Sequence, residues 1–158
     1  MNEDSDFKEL NFVKAIVICK ESGEYLLDLI LDHQINPILL SSFVGALSLF
    51  GKDGLGQIKE ITIKGLDLEL IIINKHDLVF LAIVDKSFMS DKIREDYEKS
   101  LDMFYLLYKK DIEQYSLDTA RFESFKKIII LQIQEYFENY KTQHESNFGF
   151  LPIKKKIK

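Results

Sequence analysis

His33, His76, His144, Cys19, Glu60 and Glu69 are the residues whose types could do acid–base, nucleophilic or metal chemistry in this chain. Their spacing argues against each. No two histidines stand four apart, and no carboxylate–histidine pattern suits a metal ion. His33 and His76 fall in stretches that read as solvent-exposed loops. Cys19 sits in an apolar run, where it reads as a small buried hydrophobe with no activating motif around it. A single cysteine also excludes an internal disulfide and a cysteine-built metal site. Glu60 and Glu69 lie on alternating patterns that turn them toward solvent or a sheet edge, where charge discourages unwanted strand pairing. Gly51, Gly54 and Gly56 surround Lys52, but no Gly-Lys-Ser/Thr opens a helix, so this is a flexible loop and not a phosphate cradle. The expectation is a non-enzyme with no cofactor and no metal.

The elements that position these residues follow from periodicity. Residues 12–19 are apolar at nearly every position, the pattern of a strand covered on both faces. A polar turn with Gly23 leads to a second strand over 25–31, making a hairpin. Asn36 before Pro37 is a helix start, and a helix over 37–50 is expected to end at Gly51. Three more strands follow at 58–64, 66–73 and 78–84, with a turn expected at 74–77. The first of these shows Glu60, Thr62 and Lys64 on one side, so it belongs at an edge. The strands at 12–19 and 78–84 are two-sided and belong in the middle. The spatial order 2-1-5-4-3 satisfies both demands. Ser90 or Asp91 caps a long amphipathic helix carrying Ile93, Tyr97, Leu101 and Phe104. The last helix carries Phe122, Phe125, Ile129, Ile133, Phe137 and Tyr140. The fold class is α+β: a five-stranded antiparallel-type sheet, one helix on one face and two on the other, in the order β-β-α-β-β-β-α-α.

Residues 1–11 read as an acidic flexible start, 12–141 as one domain and 142–158 as a tail with a basic end. The chain of 158 residues has 46% hydrophobic and 30% charged residues, ordinary proportions for a globular domain. Its net charge of -5 argues against a basic field for nucleic acid. Apolar runs stop far short of the roughly 20 residues a membrane span needs. The acidic start is unlike a secretory leader, so a reduced, cytoplasmic setting is the default expectation. Lys154, Lys155, Lys156 and Lys158 just reach the count of four at which basic clusters touch anionic lipid. A solvated tail is the favoured expectation for them, and lipid contact the alternative.

The helix over 37–50 is the most informative surface. It is apolar almost all round, as helices buried all round are. Its remaining stripe is Ser41, Gly45 and Ser48, small residues that let another backbone approach. A second subunit across a two-fold axis is the expected occupant. On this reading Gly45→Glu dissociates a dimer and leaves the fold intact.

The element order, with Phe-Val-Gly-Ala-Leu-Ser-Leu-Phe at 43–50, Gly-Leu-Gly-Gln-Ile-Lys-Glu-Ile-Thr-Ile-Lys-Gly at 54–65 and Leu-Val-Phe-Leu-Ala-Ile-Val-Asp at 78–85, resembles the longin domain and the related roadblock family. The middle of the chain is similar to roadblock and the two ends to longin. The resemblance covers residues 12–140 and rests on hydrophobicity and glycine. It implies a non-enzymatic module that dimerises and serves as a platform or regulator for a small GTPase or a trafficking complex. Contact with a membrane would come through the partner or the tail. The interaction residues expected are Ser41, Val44, Gly45, Ser48 and Leu49 on the helix, and Lys59, Ile61 and Ile63 on the edge strand. The alternative is a PAS-like or profilin-like domain sensing a small molecule. It would need a sizeable pocket between sheet and helices, whereas the inward positions are almost all Ile, Leu and Phe.

Overall fold

A computed structural model describes residues 10–32, 34–54, 58–114 and 118–147. Residues 1–9, His33, 55–57, 115–117 and 148–158, which include the terminal lysines, lie outside the described residues. The strands are β1 (Val13–Lys20), β2 (Tyr25–Ile30), β3 (Glu60–Lys64), β4 (Leu68–Lys75) and β5 (Leu78–Asp85). They form one sheet in the order β2-β1-β5-β4-β3, with every neighbouring pair antiparallel. Helix α1 (Pro37–Gly54) joins β2 to β3, and α2 (Asp91–Ile112) and α3 (Phe125–Asn147) follow β5. The two-sided strands β1 and β5 do lie at the centre, and the charged β3 lies at an edge.

Side-chain alternation gives the sheet two faces. On one, Phe80, Ala82 and Val84 of β5 with Ile71 and Ile73 of β4 meet α2 and α3. Their core includes Tyr97, Leu101, Phe104, Phe122, Phe125 and Ile129. Phe104 sets its ring 5.3 Å from Phe122 and 5.2 Å from Phe125. On the other face, Val17, Cys19, Ile72, Val79 and Leu81 form a smaller cluster with Val44 of α1.

Helix starts follow their caps. The Asn36 side chain accepts from the backbone N–H groups of Ile38 at 2.9 Å and Leu39 at 3.2 Å. Ser90 accepts from Ile93 at 3.3 Å. Helix ends differ from expectation. α1 continues through Gly51, which is buried, and reaches Gly54. A helical glycine costs only about 1 kcal/mol relative to alanine, so Gly51 does not have to stop the helix. α3 runs on to Asn147 beyond its apolar stripe. There Thr142 donates to the Glu138 carbonyl at 2.9 Å, and the His144 ring stacks on Tyr140 at 3.7 Å.

The β4–β5 turn is tighter than expected. Lys75 pairs with Leu78, leaving only His76 and Asp77 in the turn, at φ 61° and 59°. Two-residue hairpin turns that need two positive φ angles favour Asn and Gly. Here α2 holds the turn instead. The His76 ring stacks on Tyr105 at 4.3 Å, and its Nε2 lies 2.7 Å from Asp102. Lys75 reaches Asp102 at 3.0 Å and Glu98 at 3.1 Å. Partial burial pushes the Asp102 carboxyl up, but the bonds from His76 and Lys75 outweigh it and hold the group below its usual range.

Glu69 also departs from expectation. It is 7% exposed and sits on the α2 face, in step with Ile71 and Ile73. Those two isoleucines fix the register of β4, and a period of two carries Glu69 inward with them. Glu60 stays on the surface and pairs with Arg94 at 3.0 Å.

Candidate interaction surface

Helix α1 packs over β1 and β2, and small residues set how closely. Gly23, at φ 96°, turns the β1–β2 hairpin toward the helix. A Cβ on Gly45 would lie 2.7 Å from the Ser22 carbonyl oxygen and 2.8 Å from the Gly23 Cα. Helix and hairpin backbones therefore touch. Ser41 is 1% exposed and donates to the Pro37 carbonyl at 2.9 Å. Val44 is equally buried. Burial pushes the neighbouring Cys19 thiol up to about 12, and a hydrogen bond with Ser41 pulls it slightly back. A thiol so shifted is no nucleophile near neutral pH.

This corrects the reading of the small-residue stripe. Ser41, Val44 and Gly45 form a seam inside the chain and do not face outward, because the chain's own hairpin takes the space that their size leaves. Ser48 belongs to α1, and its side chain lies outside the described residues. Gly45→Glu is consequently expected to break the seam before it reaches any partner.

The outward face of α1 holds the large residues instead. Leu39 is 68% exposed, Leu49 64% and Phe50 65%, and Ile38 and Phe43 are exposed beside them. Of the expected helix residues, only Leu49 is shown on this surface. Sequence reasoning missed Ile38, Leu39, Phe43 and Phe50, and the signal was present. A helix apolar all round, with one sheet to lie on, must leave half of its apolar residues uncovered.

The sheet adds a second strip. α1 sits over the β1–β2 half, so the far half of that face is only partly covered. Ile63 pairs in register with Leu70, and Leu70 with Ile83. Ile63 is exposed, and Leu70, Ile83 and Ile61 are half-buried at the margin of the smaller cluster. Lys59 is exposed just before β3, and its carbonyl accepts from the Asn74 N–H at 2.8 Å. The outer edge of β3 has no strand partner among the described residues. The fold thus brings Leu49, Ile61 and Ile63 to one side of the sheet, with Lys59 at its rim.

Among the described residues, no comparable arrangement of catalytic groups is seen. Among the described residues, no cluster of three or more His, Cys, Asp or Glu could hold a metal ion. An open depression of about 570 Å³ lies where β3 and β4 meet the start of α2, lined by Thr62, Lys64, Glu69, Ile71 and Arg94 among others, whereas the cleft between the sheet and α2/α3, lined by Phe12, Ile93, Tyr97, Ile133 and Tyr136 among others, is about 10 Å³. That is room for a water molecule at most.

No protein-family model and no curated protein matches the chain. Solved structures do. MglB of Myxococcus xanthus superposes with a TM-score of 0.55 at 15% identity, over 67% of this chain and 90% of that one. The gliding protein MglB from Thermus thermophilus matches with a TM-score of 0.40 at 13% identity, over 53% of this chain and 68% of its own. A Roadblock/LC7 domain from Streptomyces avermitilis gives 0.40 at 8%, over 54% and 80%. The chain has a longin/roadblock-type fold.

Proposed function

We propose that this chain is a non-enzymatic interaction module of the longin/roadblock type, which pairs with a second copy or a sister module and offers a platform to a small GTPase or a trafficking complex. The observation that carries the reading is the apolar outer face of α1 beside the open Ile63–Leu70–Ile83 row. Contiguous apolar surface of this kind marks interaction sites. A partner's α1 laid into the open row would cover both, and pairing at the β3 edge would extend the sheet. The GTPase partner is supported by the resemblance alone, as is contact with a membrane through a partner. The small-molecule sensor is less favoured because the cleft within the sheet–helix core is water-sized and the larger depression at the start of α2 is open to solvent.

The test is capture from the native cell extract on immobilised wild type and on Phe43→Asp. Retention of a small GTPase or a related module by the first and not the second is expected. Equal retention by both, or none by either, would contradict the reading.

A further inference from the structure

The depression where β3 and β4 meet the start of α2 holds a charge that the fold leaves unanswered. Glu69 lines it and is only 7% exposed, yet it makes no hydrogen bond or ion pair among the described residues. Burying a carboxylate without a partner is costly. The register of β3 and β4 sets Lys64 directly across from Glu69 on the same face, the usual place for a cross-strand ion pair. Lys64 instead stays exposed and forms no ion pair among the described residues. An ammonium is strongly hydrated and keeps to water. A guanidinium is weakly hydrated and grips a carboxylate with two parallel bonds.

The other charges around the depression are matched. Arg94 gives one arm to Glu60 at 3.0 Å and the other to Asp91 at 2.7 Å. Lys92 pairs with Asp96 at 2.8 Å and has Glu95 within electrostatic reach. Asp67 and Lys86, joined through their backbones at 2.8 Å, carry opposite charges. With Glu60 held on Arg94, the two bases Lys64 and Arg94 face the three acids Glu60, Glu69 and Asp91, a balance that favours a cation. Ile71 and Met89 supply apolar wall for the methylene stem of a long basic side chain. Thr62 and Lys64 of β3 form one side of the depression, and the outer edge of β3 has no strand partner among the described residues. A strand added there turns every second residue to the face that carries Thr62 and Lys64. Such a residue stands two strands from Glu69, roughly 10 Å away, a gap that an arginine and a glutamate side chain close together.

We propose that this depression takes an arginine side chain from an extended segment of a partner protein that pairs along β3, with the guanidinium seated on Glu69. This rests on the strand pairing at β3 described above and not on the α1 contact, which uses the other face. Neither edge strand of this chain, β2 or β3, carries an arginine, so the occupant is a different protein and not a second copy.

The test uses the full chain and three labelled peptides of alternating threonine and valine that differ only in a central arginine, lysine or glutamine. Fluorescence anisotropy is expected to show the arginine peptide binding at least about tenfold tighter than the glutamine peptide, with the lysine peptide between them. Glu69→Gln keeps the shape of the side chain, so it should remove the arginine advantage and leave circular dichroism unchanged. Equal binding of the arginine and glutamine peptides would overturn the arginine anchor and leave strand pairing at β3 standing. Binding of none of the three would overturn both. N-acetyl-arginine amide competing as well as the whole arginine peptide would mark a small-molecule pocket and overturn the docking. In urea unfolding, Glu69→Gln and Lys64→Gln are expected to change the unfolding constant independently, within about twofold. A larger coupling would mean that Lys64 already answers Glu69, and would overturn the proposal.

Discussion

The two faces of the sheet are built from the same strands and are finished differently. On the α2–α3 face, Phe80, Phe104, Phe122 and Phe125 are all fully buried. On the α1 face, Phe43 and Phe50 point outward, and among the described residues only Val44 of the helix is fully buried in the cluster, with Leu40 and Leu47 packed against it. Two antiparallel helices shield one another as well as the sheet. One helix, apolar all round, has a single side to bury. Covering one exposed Leu or Phe is worth about 1.5–3 kcal/mol, so the uncovered side of α1 favours association, while the α2–α3 face favours folding through its large core and still leaves Met103, Leu106, Leu107 and Leu131 exposed. The same sequence feature, a run of Leu and Phe, therefore means stability in one place and partnership in the other.

Substitutions can break this contrast, and the core should respond most. Phe104→Ala is expected to cost about 3–5 kcal/mol in urea unfolding. A loss below about 1 kcal/mol would mean that the large core is not the stabilising face. Gly45→Val comes next, at about 1–3 kcal/mol, because its Cβ meets hairpin backbone that has little room to move. Gly45→Glu should likewise lower the melting temperature. A variant with an unchanged melt that only dissociates a dimer would restore the outward reading of the stripe. Leu39→Asp, on the exposed face, should change the stability of a single chain by less than about 0.5 kcal/mol, with its effect appearing in association.

The smallest effect concerns the β4–β5 turn. The Asp102 carboxyl is held below its ordinary value, so it contributes stability above the unfolded carboxylate pKa of about 3.9. That contribution is lost as pH falls through the folded value. The stability difference between wild type and Asp102→Asn should therefore be largest near neutral pH and shrink toward pH ~3. A difference independent of pH would remove the charge from the explanation of the turn.

Much of the fold was legible in the sequence because strands announce their neighbours. Residues 12–19 and 78–84 are apolar on both faces, which places them centrally, and Glu60, Thr62 and Lys64 mark the edge. That half of α1 must stay uncovered was legible, but which half was not, since a helix apolar all round gives no direction. There the small residues misled. Ser41 and Gly45 mark a close approach, but which backbone approaches is a tertiary fact. Glu69 misled differently: its charge suggested solvent, while its spacing from Ile71 and Ile73 placed it inside. The end of α3 was hidden because its last turns are stabilised by side-chain contacts such as His144 on Tyr140, which leave no apolar period.

Sedimentation equilibrium of the full chain, wild type beside Phe43→Asp, tests most directly whether the α1 face is an interface. The wild type should show about twice the 18.5 kDa chain mass at micromolar concentration. Phe43→Asp should show a single chain with an unchanged far-ultraviolet circular dichroism spectrum. A wild type that stays a single chain throughout, or a dimer that Phe43→Asp leaves intact, would contradict it.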